Sequence, residues 1–460
     1  RVNSSGLVET VELLGSEEVT CGNFECASPL TYWNTGTGIT IGSGVALFTS
    51  VPSGLQLNQV SLGGVVGKTY KISYEIKTRT EGAFSASIGG TLSSNQNSEV
   101  GVYTEYLTAT GAGTFYIRSR GTTSGSIDNI SVKEYTANNL ARVDYDGTAS
   151  SLLVEPERTN LVTYSEDFSN ASWVTVSGSV TKSYNTTTSP SGLEDADSIL
   201  ATSAGSIVWA TYQPLTADYT GTLYLKRKTG SGDIQFTASG TFSTVDLSSG
   251  DWVRVEHTYS ATAGTKAIGI KIVDSGDEVY IWGAQLEVGS YATSYIPTDG
   301  GTVTRVQDQY SKTGISNLIN SEEGVLFVEM AALSNDLTDR AISLSDGTLN
   351  NAVQIFYFNT SNRIRCRVYA GGVLQATISI IGYTITDSHK IAFKWGGGFM
   401  SVFVDGTIYG TAQAITSTPT ALDILRFNLG QGSSIFYGKV KQLQVYDTAL
   451  TDTQLAALTS

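Results

Sequence analysis

Two histidines, three cysteines and 42 carboxylates are the groups this chain offers for chemistry. A retaining glycoside hydrolase needs two carboxyl groups about 5–5.5 Å apart. Where such a pair comes from one strand, whose residues i and i+4 share a face, it usually shows as Glu-x-Asp-x-Glu, and no such run occurs. Glu194 and Asp195 with Asp197, and Asp274 with Asp277 and Glu278, fall in Gly/Ser-flanked turns and read as solvated loops. His257 shares a strand face with Val253, Val255 and Tyr259 and reads as a packed core histidine. With His389 as the only other histidine, histidine-based triads and metal-hydrolase motifs have almost nothing to draw on. No catalytic motif is found, and the expectation is a protein that is not an enzyme.

Binding a sugar asks instead for an exposed aromatic face. A pyranose ring presents C–H groups that lie against indole, with hydrogen bonds at the rim. Alternation sorts the tryptophans. Trp33 and Trp173 each follow a phenylalanine at matching places and read as core, as does Trp395 in line with Ile391 and Phe393. Trp209 shares its face with Thr211 and Gln213, opposite Val208, Ala210 and Tyr212. Trp252 sits with Arg254 and Glu256, opposite Val253 and Val255. Trp209 and Trp252 are therefore the candidate ligand-binding residues.

The elements that must carry these residues are strands. Tyr70, Ile72, Tyr74 and Ile76 alternate with Lys71, Ser73, Glu75 and Lys77, the pattern of a half-buried strand. Residues 391–395 and 441–445 repeat it. Helical periodicity is nearly absent, and Thr451 with Gln454 ahead of Leu455 and Leu458 is a capping box opening one short terminal helix. Abundant glycine (49) and scarce proline (7) suit many short strands joined by tight turns. The fold class expected is all-β, with β-sandwiches in tandem.

A length of 460 residues suggests about three domains. The net charge of −14 argues against a nucleic-acid partner, whose phosphates are bound through Lys and Arg. No apolar run is long enough to suggest membrane insertion. Cys21 and Cys26 bracket a turn and are close enough in sequence to bridge, but Cys366 is left over. All three cysteines are read as plain buried residues of a protein made in a reducing cytoplasm. Arg1 is not a translation start, so a segment upstream is expected.

Residues 12–136 and 159–298 read as an internal repeat. Asn23-Phe-Glu with Trp33 answers Asp167-Phe-Ser with Trp173, and Ser126–Glu134 answers Tyr280–Glu287. Both copies resemble jelly-roll modules of the CBM4/9 type of carbohydrate-binding family, in which an opening "NGxFE…W" pairs with a final "IDNVSV" strand. In that family a structural calcium is held near the N-terminal Glu and the Asp of the last strand, which implies Glu25 and Asp128 as metal ligands here. Ca²⁺ takes about six to eight oxygens, so backbone carbonyls would complete the shell. Ser169 and Trp282 stand at the matching positions of the second copy, so no calcium is expected there.

From about Ser311 the pattern changes. Residues 325–330, 341–347, 402–410 and 438–451, ending in YDTALTDTQLAAL, together resemble a laminin-G or concanavalin A-like lectin domain. The segment RVDYDG…SLLVEPERTNLVTYSEDFSNASW, ending at Trp173, resembles part of bacteriophage tail-fibre and minor structural proteins. Residues 1–10 resemble what usually lies shortly before that segment in those proteins, so the first module reads as an insertion.

The organisation expected is an N-terminal segment 1–11, a jelly roll over 12–136, a connecting segment 137–158, a second jelly roll over 159–298, a linker 299–321 and a lectin-like domain over 322–460. The resemblance implies a virion protein assembled in the bacterial host cytoplasm, binding a host cell-surface glycan and other virion proteins, as a homo-oligomer with a trimer favoured. A polysaccharide depolymerase with appended binding modules and a purely structural decoration protein are the alternatives.

Overall fold

Alternation places Tyr70, Ile72, Tyr74 and Ile76, none more than 1% exposed, on one face of the strand Thr69–Ile88. Lys71, Ser73 and Glu75 between them remain half-buried. The same two-residue period builds nearly everything in a computed structural model of the chain, which describes residues 1–9, 13–136 and 142–460. The fold is all-β. Among the described residues the one α-helix is Asp452–Thr459, opened by the capping box of Thr451 and Gln454. No helix among them is long and apolar enough to cross a membrane.

The chain divides into two compact units, Val11–Leu140 and Arg1–Thr10 with Ala141–Ser460. The boundaries expected between residues 11 and 12 and between 136 and 137 fall outside the described residues.

In the first unit two very long strands, Thr69–Ile88 and Thr114–Thr136, pair with each other along their length. The opening half of Thr69–Ile88 also pairs with Gly101–Thr108, and its closing half with Thr91–Leu92. The bend between the halves uses Gly82 and Gly121, both at φ +70. A Cβ at Gly82 would meet the Thr122 carbonyl at 2.4 Å, so no other residue fits there. One core, with Trp33, Phe48, Phe84 and Phe115 among its largest members, lies between the two halves.

The second jelly roll repeats this topology with the long strands cut. One sheet runs, by strand, Val180–Thr187, Ala196–Ala201, Glu278–Val288, Ala217–Thr229, Val253–Ala261. The other runs Val174–Ser177, Ser206–Tyr212, Lys266–Ile272, Ile234–Thr237, Ser243–Val245. The opening motifs also superpose in role. Phe24 and Trp33 pack with ring centroids 5.3 Å apart, Phe168 and Trp173 at 4.6 Å. Each indole N–H donates to a carbonyl just upstream of its phenylalanine, Cys21 O at 3.0 Å and Tyr164 O at 2.8 Å.

The lectin-like part is a sandwich of a six-stranded sheet and an eight-stranded one around a main core, with a smaller cluster of Val325, Phe327, Ala392, Phe403 and Leu455 at the terminal helix. Residues 142–154 do more than connect. The hairpin Arg142–Asp146 and Ala149–Val154 joins the eight-stranded sheet through Leu152 opposite Val440 and Val154 opposite Gly438. Its apolar run drives this, since Val154 is fully buried in the lectin-like core. The expected linker also contributes strands: Val303–Arg305 pairs with Arg158–Asn160, and Ser311–Lys312 with Ile424–Arg426. The N-terminal segment binds beside the hairpin, with Tyr145 N–H donating to Val2 O and Val2 N–H to Asp144.

The reading of all three cysteines as plain buried residues is corrected. Cys21 and Cys26 form a disulfide, because the turn between them brings their Cα atoms to 5.8 Å, within bridging range. Cys366 is free and buried.

Candidate functional site

Of the two tryptophans singled out from the sequence, Trp209 lies on one sheet of the second jelly roll and Trp252 immediately precedes the strand Val253–Ala261 of the other, both outside its core cluster. Trp209 lies on Ser206–Tyr212, whose Val208 and Ala210 enter the core. Its antiparallel neighbours are Val174 and Gly269. Gly269 has no side chain to spare room for: a Cβ there would stand 2.5 Å from that of Trp209. The indole therefore lies across the sheet and stacks on Phe242, centroids 6.2 Å apart and planes within 8° of parallel. Trp209 and Phe242 are both half-buried, with exposed Val174 and Val176 on the neighbouring strand. Lys271 and Gln235 pair with each other one step along the same sheet. This is an aromatic floor with polar groups at its edge, the arrangement a sugar ring needs.

Trp252 is committed to the fold. Its indole N–H donates to Thr188 O at 3.1 Å, and its ring packs near Tyr280 and against a small cluster of Ala196, Tyr224 and Trp282. Val8 of the N-terminal segment and Tyr295 pack against the same cluster. Trp209 and Trp252 thus cannot face one ligand.

Glu25 and Asp128 come to the same end of the first module. The register that sets Ala46 opposite Ile127 carries Gly44 to the level of Asn129, and a Cβ on Gly44 would stand 3.6 Å from a Glu25 carboxylate oxygen. Glu25 is exposed and accepts from Asn23 at 3.2 Å. Asp128 accepts from the Asn129 N–H at 2.7 Å and has the Lys77 ammonium 4.0 Å away. Among the described residues no group of three or more His, Cys, Asp or Glu side chains gathers as metal ligands. The donors fit a calcium ion only in part: two carboxylates, with a lysine competing for one of them.

The acidic clusters are less solvated than their turn-like spacing suggests. Asp197 is 3% exposed and caps two backbone donors, Phe168 N–H at 3.1 Å and Asn185 N–H at 3.0 Å. Burial pushes its carboxyl up to about 6. Asp277, also buried, accepts from Gly232 N–H at 2.8 Å and faces Arg227. Glu278 binds Lys228 and Ser198, each at 2.8 Å. All three brace loops through tertiary contacts that the local sequence does not encode. A groove of about 540 Å³ nearby is lined by Asp233 and Asp246 with Arg227 and Gly230. Hydrogen bonds from Ser248 hold the Asp246 carboxyl below its ordinary value, the reverse of what a general acid requires.

His257 is half-buried beside Tyr259, and burial lowers its pKa. His389 is tied between Asp405 at 2.7 Å and Thr384 O at 3.0 Å.

Sequence reasoning missed one feature of the lectin-like part. On the strand Ile364–Ala370, Ile364, Cys366 and Val368 enter the core. Arg365 and Arg367, with Arg363 just before the strand, alternate with them and so face outward. The Arg-x-Arg-x-Arg alternation was the available signal, but it reads as an ordinary solvated face until the neighbouring strand shows what lies beneath.

Comparison with curated protein sequences gives no match. Solved structures align with parts of the chain. A toad ovary galectin in complex with thio-digalactose is 8% identical, covering 30% of this chain and 97% of its own, with a TM-score of 0.23. Domains LG4–5 of the mouse laminin α1 chain are 12% identical, covering 54% and 90%, with a TM-score of 0.23. A tandem of two CBM22 domains from Paenibacillus barcinonensis is 9% identical, covering 65% and 97%, with a TM-score of 0.18. Within this chain, residues 327–456 match the family model of the Concanavalin A-like lectin/glucanases superfamily, and the module that contains them is a lectin-like β-sandwich.

Proposed function

We propose that this chain binds cell-surface glycans through the outer faces of its β-sandwiches, as a fibre protein of a bacteriophage particle. The observation that carries the binding reading is the Trp209–Phe242 stack over Gly269, an aromatic floor held flat on a sheet and edged by Lys271 and Gln235. The superfamily match over residues 327–456 supports it from a second module. The particle setting rests on the resemblance of Arg142–Trp173 to tail-fibre proteins. Glycan contacts of this size are individually weak, and a trimeric fibre would convert them into avidity.

A glycan array combined with a reducing-sugar release assay on the purified chain tests the reading. Binding without release is the expected result. Release of sugar would make the chain a depolymerase, with the groove of Asp233 and Asp246 the place to look. Neither binding nor release would leave a decoration protein. Mass-spectrometric inventory of purified virions tests the particle setting separately.

A further inference from the structure

Arg365 and Arg367 stand on the outward face of the strand Ile364–Ala370 of the six-stranded sheet, and Arg363 immediately precedes that strand. Residues i and i+2 of a strand are about 6.6–6.8 Å apart. Arg365 and Arg367 are therefore spaced as strand neighbours, with Arg363 extending the row at its N-terminal end. Among the described residues none of the three has an ion-pair or hydrogen-bond partner for its guanidinium, and each Nε is buried without one. Arg142, Arg305 and Arg340 share the unpartnered Nε, but they and Arg227 each meet a carboxylate.

The row is held in place from below. Phe356 lies directly opposite Arg365 on the neighbouring strand, and Gln354 opposite Arg367. The Arg365 guanidinium sits 3.3 Å above the Phe358 ring centroid, and that of Arg367 4.7 Å above Phe356. Stacking on rings fixes the plane of a guanidinium and leaves its outer edge, the one that grips a carboxylate or sulfate in two bonds, without a partner. On the other flank Ser379 pairs with Arg365 and Thr377 with Arg367, adding hydroxyl groups beside the row. Burial, and then the charges of Arg367 and Arg363, lower the Arg365 pKa against the smaller opposing effect of Asp339, so the cations repel one another as they stand. An anion laid along the row relieves that repulsion. In a chain of net charge −14, three unpaired cations in register are a local exception.

We infer that this row is the binding site for an acidic polysaccharide, whose carboxylate or sulfate groups are gripped in turn by Arg363, Arg365 and Arg367. The inference rests on the glycan-binding reading and names a ligand class for it. Single-stranded nucleic acid is the weaker fit. It binds by stacking bases on free aromatic faces, whereas Phe356 is 1% exposed and both rings are covered by guanidinium groups.

Biolayer interferometry on the full chain tests this with polygalacturonate, dextran sulfate, neutral dextran and oligo(dT) as immobilised probes. The expected result is salt-sensitive binding to at least one acidic polymer and none to neutral dextran. Which acidic polymer binds separates carboxylate from sulfate recognition. The double variant Arg365→Gln/Arg367→Gln weakens that binding about tenfold or more, as two charge-assisted contacts are lost. Arg365→Lys/Arg367→Lys keeps the charge but not the two-bond grip, and falls between the two. Lys266→Gln, on the second jelly roll, leaves binding unchanged. Three results would overturn the inference: no binding to either acidic polymer, equal weakening by Lys266→Gln, or tighter binding to oligo(dT). Should the arginine variants keep wild-type binding while Trp209→Ala loses it, the glycan reading stands and the arginine site falls. If no glycan of any kind binds, both fall.

Discussion

Glu155 forms ion pairs with Arg142 at 2.9 Å and with Arg305 at 3.0 Å, and is itself 2% exposed. Burial pushes its carboxyl up, but Arg305, Arg142 and the Ser294 N–H outweigh that and hold it below the ordinary range. Asp308 closes the knot, bonding Arg142 and the Glu155 N–H. The recognisable segment around Glu155 is thus an architectural joint, tying the hairpin at residues 142–154 to the strand after the second jelly roll. Asn160 extends it. All four of its side-chain bonds are made inside that jelly roll, from its amide to Ala284 O and Ile296 O and to its carbonyl from Val162 N–H and Leu286 N–H.

Among the described residues, Glu155→Ala removes the one carboxylate that pairs with Arg305 and one of the two that pair with buried Arg142. Removing one partner of a buried ion pair costs about 3–5 kcal/mol. Chemical denaturation of the full chain is expected to show that loss in the transition of the unit containing residues 142–460, with the transition of residues 13–136 unchanged. A loss below about 1 kcal/mol, the level of an exposed pair, would contradict the joint.

The raised carboxyl of Asp197 predicts a pH dependence of definite sign. Its contribution to stability is fully present below the ordinary carboxylate value of 3.8 and is lost as the pH rises through about 6. Burial raises Glu166 and Glu287 of the same module in the same direction, while Glu155 runs opposite. The difference between wild type and Asp197→Asn isolates the one group. Differential scanning calorimetry should find the wild type gaining melting temperature relative to the variant as pH falls from 7 to 5. A gap that widens with rising pH would refute the assignment.

Calcium has a direct test in the first module. If Glu25 and Asp128 hold it together with backbone carbonyls, calcium at about a hundred times its dissociation constant stabilises that module by about 2.7 kcal/mol. Glu25→Gln abolishes the effect. No shift in the wild type, or an equal shift in the variant, places the ion elsewhere or nowhere.

Strand periodicity, the terminal helix and the core positions of Trp33, Trp173 and Trp395 were legible in the sequence, because each depends on neighbours within a few residues. Pairing of Leu152 with Val440 was not, since register between distant strands is set by which apolar faces meet in the folded core. Burial of Asp197 and Asp277 was hidden for the same reason: a turn-like sequence fixes the local bend, whereas solvent exposure depends on what packs over it. Trp209 and Trp252 look alike in the sequence, each on a polar face. They part only because Gly269 opens the sheet beside one, while Thr188 and Val8 close over the other.

That separation gives the most direct test of the account. A glycan array with the wild type, Trp209→Ala and Trp252→Phe should find at least one glycan bound by the wild type and equally by Trp252→Phe. On Trp209→Ala its binding should weaken by about tenfold, the worth of roughly one stacked ring. Binding that survives Trp209→Ala on every glycan would contradict the account.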